Sequence, residues 1–264
     1  MSPQAEIAVR LGIAAALFAA LALWEWRAPR RHPTVGRRER WFGNLGILAV
    51  DLLAVRLLVP TAAVGVALLA AAKGWGLLPA LGVAFWPAAI VSVIALDFTI
   101  WAQHYVFHHV PVLWRLHRVH HADVEIDVST GVRFHPLEIL VSLVIKMAAV
   151  VALGAPAAAV VAFEVLLNAT SMFNHSNVAL PAWAEPAARW LIVTPQMHEV
   201  HHSVERAEPD SNFGFNLPWW DRLFGTYRAK PAAGDDVVIG LPVFRDPAER
   251  TLLRLLTQPF RRAR

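Results

Sequence analysis

Of the twelve histidines in this 264-residue chain, eleven lie between positions 104 and 202. Eight of them form three boxes: His104-x-x-x-His108, His117-x-x-His120-His121 and His198-x-x-His201-His202. Imidazole is a common ligand for iron, copper and zinc. Residues three or four apart on a helix project from one face, so each box can present two or three nitrogens to one point. In a His-x-x-His-His triplet the first ring can share a face with the second or with the third, leaving the remaining ring for a neighbouring ion. That pattern suits two metals better than one, and eight nitrogens are enough for two ions with a position open on each.

His175, in Asn174-His175-Ser176-Asn177, is a candidate ninth ligand, and Asn174 beside it could be a ligand or steady one. His135 could be a ligand, a substrate contact or a helix-entry residue. Asp97 lies seven residues before His104 on the same helical face, where it could orient a ring or pair with an Arg inside the bundle. His109 points away from the face of His108, and His32 reads as an ordinary polar residue.

The elements that must position these rings are membrane helices. Apolar residues make up 56% of the chain and the mean hydropathy is +0.45, unlike an ordinary soluble globule. Cys is absent, which excludes disulfides, iron–sulfur clusters, thiolate-ligated haem and a Cys nucleophile together; any metal must be held by nitrogen and oxygen. Arg27, Arg30, Arg31, Arg37, Arg38 and Arg40 crowd one loop directly after an apolar run. That position favours a cytoplasmic loop under the positive-inside rule over a nucleic-acid patch. Arg10 is the only basic residue near the start, so a retained anchor is expected there, not a cleaved signal peptide.

Four apolar regions, 7–24, 45–72, 77–96 and 139–173, stand out against a span requirement of about 20 residues. The first three are expected to cross alternately, bringing the first two boxes out on the cytoplasmic side. The fourth is too long for one span and is broken at Gly154-Ala155-Pro156, where a helix should stop or kink. A helical hairpin returns the chain to the side it left. A single span would instead place the third box across a core of about 30 Å from the other two. The expected architecture is all-α, an integral-membrane bundle of three spans plus a hairpin, under a cytoplasmic histidine-rich cap. Residues 1–101 would form the anchor with its Arg-rich loop, 102–136 the first two boxes, 137–173 the hairpin and 174–264 the cap with the third box. Within the cap, Trp219, Trp220, Leu223 and Phe224 suit an element at headgroup level, and 248–258 reads as another surface-lying helix.

The ordered boxes resemble those of the sterol desaturase and fatty acid hydroxylase family of integral-membrane di-iron oxygenases. The resemblance covers roughly 90–230. It rests on Asp97 with His104-x-x-x-His108, on Leu113-Trp114-Arg115-x-His117-Arg118-Val119-His120-His121, on Arg133-Phe134-His135-Pro136, on His175-Ser176-Asn177 and on Pro195-x-x-His198-Glu199-Val200-His201-His202. Asn212-Phe213-Gly214-Phe215 and Trp220-Asp221-x-Leu223-Phe224-Gly225-Thr226-Tyr227 are similar to the family's last segment. Where some relatives carry a further H-x-x-x-H pair before the last box, this chain has Asn174-His175.

The resemblance implies two iron ions, which zinc could replace in a purified sample, and O₂-dependent hydroxylation or desaturation of a lipid drawn from the bilayer. Electrons would come from a separate protein such as a ferredoxin, flavoprotein or haem protein, because no nucleotide-binding glycine loop is present. No nucleic-acid partner is expected. The expected location is a bacterial inner (plasma) membrane, with the site on the cytoplasmic side. Two other readings stay open. His198-Glu199-Val200-His201-His202 also satisfies H-E-x-x-H, with His198 and His202 on zinc and Glu199 as general base. A non-enzymatic metal carrier or channel would also use His clusters, although its ionisable groups should sit within the spans.

Overall fold

The computed structural model describes residues 3–262; residues 1–2 and 263–264, the tips of the first and last predicted segments, lie outside the described residues. The described chain is all-helical apart from one isolated bridge, Ser203 to Ile239. Helix α1 spans Pro3–Arg27, α2 Arg37–Leu58, α3 Ala62–Lys73, α4 Leu77–Ala80, α5 Phe85–His109 and α6 Pro111–His121. Then come α7 Pro136–Leu153, α8 Ala157–Asn174, α9 Glu185–Leu191, α10 Pro195–His201, α11 Trp219–Leu223 and α12 Leu252–Thr257.

Among the described residues, five segments are long and apolar enough to cross a membrane: 8–27, 37–80, 85–109, 136–153 and 157–174. Their outward faces carry Leu57, Leu58, Leu68, Trp86 and Ile90 at 58–74% exposure. In water such a surface would be an aggregation hazard, whereas acyl chains match it. The molecule is an integral-membrane helical bundle.

All five segments put one end at the histidine boxes. Glu25 near the end of α1 accepts from Val128 N, Arg40 at the start of α2 reaches Asp123, and α5 ends in the first box. Glu138 in the first turn of α7 receives His117, and α8 runs into His175. At the opposite end Gly76 meets Gly154, where a Cβ on Gly76 would lie 2.1 Å from Gly154 N. The hairpin expected at 139–173 is present, as α7 and α8. Gly154 ends α7 with φ +67°, and a Cβ there would sit 2.5 Å from Trp75 O, so this turn requires glycine on two counts.

Two span boundaries differ from the sequence reading. Region 45–72 is not one helix: α2 stops at Leu58 and α3 starts at Ala62, because Pro60 supplies no N–H and its ring collides with the preceding turn. The third span begins at Phe85, not 77, and runs unbroken through His108. Pro79 and Gly82 (φ +63°) isolate the short α4 ahead of it. In the core of the bundle α3 presents Ala63 and Ala67 to Leu143, Val150 and Phe163 of the hairpin, small residues that let helices approach closely. The tail, expected as one helix over 248–258, is broken into a 3-10 turn at Pro247–Arg250 and α12, where Leu255 packs on Ile47 of α2 and Val119 of α6.

Candidate metal centre

Nine imidazoles converge into two adjoining groups. His104, His108, His117, His121 and His201 form the first, and His120, His175, His198 and His202 the second, with the donor atoms in each within 4.8 Å of one another. The triplets divide in the same way. In both, the first and last rings, four residues apart, share a group (His117 with His121, His198 with His202), while the middle ring (His120, His201) crosses to the other. The 100° step per helical residue separates the middle ring from the last and so permits this split, and the packing around the rings selects it. The groups touch: the His121 and His202 rings stack with centroids 4.5 Å apart.

Hydrogen bonds to carbonyl oxygens fix which ring nitrogens carry protons. A carbonyl only accepts, so each ring nitrogen facing one must donate. His104 Nδ1 donates to Phe213 O (2.7 Å) and His201 Nδ1 to Ser211 O (2.7 Å). His120 Nδ1 donates to Arg133 O (3.1 Å) and His175 Nδ1 to Ser171 O (2.6 Å). Their Nε2 atoms are then bare lone pairs in the neutral ring, yet His104 Nε2 lies 3.0 Å from His201 Nε2, and His120 Nε2 lies 3.0 Å from His175 Nε2. Lone pairs so opposed repel unless a cation lies between them. Burial makes a proton a poor choice. It depresses His175 to about 4 and His117 to about 3, and holds His120, His121, His198, His201 and His202 well below the usual imidazole value. A metal ion fits instead: adjacent nitrogens on one ion at about 2.0–2.1 Å lie roughly 3 Å apart. The further buried, unpartnered atoms His108 Nε2 and His202 Nε2 complete the same donor set.

The chain around the rings orients them. His117 Nδ1 lies 2.6 Å from Glu138 Oε1, the carboxylate–imidazole pairing that steadies metal-binding histidines. Phe134 stacks on His120 at 4.4 Å. Thus Arg133-Phe134-His135-Pro136 positions rings instead of supplying one. His135 caps α7: its Nδ1 accepts from Leu137 N and its Nε2 donates to Leu256 O. With both nitrogens engaged it joins neither group, and its position at the start of α7 agrees with the helix-entry reading. Asp97 also does not reach a histidine. Its carboxylate accepts from Asn216 Nδ2 and Trp220 Nε1 at 2.7 and 2.8 Å, so it ties α5 to α11 and the segment before it. Asn174 donates to Phe215 O and belongs to neither group.

Sequence reasoning missed the buried charge network under the second group. Arg40 donates to Asp123 (2.6 and 2.7 Å) and Asp127 (2.6 Å). Arg133 donates to Val119 O and Asn44 Oδ1, holding the backbone whose carbonyl receives His120. Burial pushes the Asp123 carboxyl up, but the Arg40 and Arg133 guanidiniums outweigh it and hold it well below the carboxylate range. Asp221 was likewise missed as a positioning group. It accepts from Phe213 N and Gly214 N and so sets the loop whose carbonyl receives His104. Burial raises its pKa against those hydrogen bonds. Glu199, the general base of the zinc-protease reading, is turned away from the rings and bound by Arg30 and Arg31. That reading gains no support, since His198 and His202 share their group with His120 and His175.

Fold and site together define a helical integral-membrane protein with paired histidine cages at one end. The chain belongs to the fatty acid hydroxylase family, which it matches over residues 89–226, just over half its length. It is 29% identical over 182 residues to the ornithine lipid hydroxylase OlsE of Rhizobium tropici, covering 67% of this chain and 52% of that protein. It is 30% identical over 157 residues to the human alkylglycerol monooxygenase (59% and 33%), and 26% identical over 147 residues to a very-long-chain aldehyde decarbonylase of Oryza sativa subsp. indica (52% and 23%). The chain thus spans about half the length of the first of these relatives and less of the others. No solved structure matches it.

Proposed function

We propose that this protein is a di-iron oxygenase that hydroxylates, or desaturates, an unactivated C–H bond of a membrane lipid. The observation that carries the reading is the pair of opposed Nε2 atoms in each group, His104 with His201 and His120 with His175, whose protonation pattern is set by backbone carbonyls. All nine histidines would serve as ligands, five to one ion and four to the other. When bound, redox-active metal supplies the oxidising power that side chains lack for attack on a methylene.

The balance for hydroxylation is R–H + O₂ + two electrons + two protons giving R–OH + H₂O. A separate electron-donor protein supplies the electrons. The chain's own residues hold the rings neutral by burial, fix their tautomers and exclude water. On the outer face of α5, a shallow apolar surface lined by Val91, Ile94, Phe98, Trp220 and Phe224 gives an acyl chain a place to lie. The names of the relatives, an ornithine lipid hydroxylase and an alkylglycerol monooxygenase, agree with a lipid substrate. Arg27 and Arg38 stay exposed at the ring end of the bundle, which supports a cytoplasmic site by the positive-inside rule and a basic surface for an acidic donor. Mass spectrometry of membrane lipids from cells with and without the protein tests the reading. A hydroxylated or unsaturated lipid that appears with the protein and disappears in His120→Ala is expected. Identical lipid profiles, with iron-free purified protein, would refute it.

A further inference from the structure

The H-E-x-x-H pattern is only partly absorbed by the centre, because its glutamate does not face the rings. Helix α10 is only seven residues long, too short to hold its shape alone. It and the residue after it nevertheless carry His198, His201 and His202. Five rings of the centre are anchored through Nδ1: His104, His120, His175 and His201 on carbonyls and His117 on Glu138. His198 and His202 have no such anchor, and both Nδ1 atoms are buried without a partner. Their direction therefore depends on how α10 itself is held.

Asn212 Nδ2 donates to Met197 O and His201 to Ser211 O on one side of α10; the grip on its Glu199 side comes from the N-terminal part of the chain, outside the 89–226 family match. Glu199 projects about 100° round the helix from His198. Its carboxylate, 2% exposed, is gripped by Arg30 and by Arg31 Nη1 at 2.6 Å. The same loop pins the neighbouring ligand. Arg30 N donates to Asn177 O, Arg31 N to Asn177 Oδ1 and Asn177 Nδ2 to Arg31 O, two residues after His175. Glu25 accepts from Asn177 N on the same side. Arg31 also reaches Val237 O, and that strand-like segment donates from Gly240 N to His202 O (2.9 Å). Three of the four rings in the second group, His175, His198 and His202, thus depend on one loop.

We infer that Arg30, Arg31 and Glu199 form a positioning clamp for the second metal group, taking the place of the hydrogen bonds that His198 and His202 lack. Glu199 is then a positioning residue and not a general base. The inference rests on the two-metal reading above. Loss of a comparable outer partner weakens metal affinity about 10–100-fold.

The test is metal stoichiometry and competition titration with iron(II) or zinc on the full chain, for wild type, E199Q and R30Q/R31Q. Both variants should keep the first group's ion and bind the second about 10–100-fold more weakly. R30Q/R31Q/E199Q should be no weaker than R30Q/R31Q, since the triple variant leaves no buried charge unpaired. D235N, which removes only an exposed partner 3.6 Å from Arg30, should match wild type. The retained first ion serves as the control for folding. Wild-type affinity at both groups in E199Q and R30Q/R31Q would overturn the clamp, as would loss of both ions together. Wild type that holds fewer than two ions would instead bring down the metal reading itself.

Discussion

Asp123→Asn should be among the most damaging substitutions in the chain that touch no ligand. The carboxylate is fully buried and receives Arg40 Nε and Nη2, Asn44 Nδ2 and Thr130 Oγ1 at 2.6–3.0 Å, with Arg133 Nη1 3.6 Å away. The amide removes the charge that compensates two buried guanidiniums and turns a donor toward one of them. Breaking a buried pair in this way costs about 3–5 kcal/mol, and at roughly 2–3 °C per kcal/mol the melting temperature should fall by about 6–15 °C.

Glu39→Gln removes a chemically similar partner, the carboxylate 2.5 Å from Arg250, but that side chain is 59% exposed. Its loss should cost no more than about 1 kcal/mol. Tryptophan-fluorescence melting of both variants in one detergent gives the comparison. Asp123→Asn should also lower occupancy of the second group, because Arg133 O holds His120. Equal melting shifts for the two variants would refute the argument that burial decides the effect.

His120→Ala and His121→Ala, adjacent in sequence, should deplete different ions, since His120 belongs to the second group and His121 to the first; metal analysis of each variant, loaded in parallel, checks this. His135→Ala should keep full metal content and lose only about 1 kcal/mol of stability, the value of a helix cap, as read by melting and metal analysis together. Metal-free protein should weaken as pH falls from about 6.5 toward 4. His175 and His117 are held at about 4 and about 3 when folded, so the unfolded chain binds more protons in that window, by about 1.4 kcal/mol per pH unit for each imidazole. Asp123 has the same sign but acts lower, its contribution being lost only as pH drops below the usual carboxylate range. Denaturant midpoints measured across pH 4–8 should show the imidazole slope, and a flat profile would contradict it.

Much of the centre was legible because helical spacing is a local property. The boxes and the hairpin break at Gly154 follow from residues close in sequence, whereas His175, a lone histidine, stands there only as a candidate ninth ring. The way the triplets divide between groups was left open, since both divisions obey the spacing and only the packing of α6 against α10 chooses. Glu138, Arg40, Asp123 and Asp221 were not legible as positioning groups. Arg40 meets its partner 83 residues away, and no periodicity links them. Arg40 was instead absorbed into the charge signal of its loop. Asp97 had the right face and the wrong neighbour: the NH groups of Asn216 and Trp220, more than a hundred residues later, occupy the carboxylate. The unbroken α5 was hidden because apolar composition fixes where a span can lie more firmly than where its helix ends.

The central claim is that each group holds an ion through imidazole alone. X-ray absorption at the iron edge of the purified, iron-loaded protein tests it most directly, with iron counted per chain on the same sample. Two irons per chain with a nitrogen-dominated shell at about 2.0–2.2 Å and imidazole outer scattering is the predicted result, reduced by about half in His120→Ala. One iron or none, or a shell without imidazole scattering, would contradict the account.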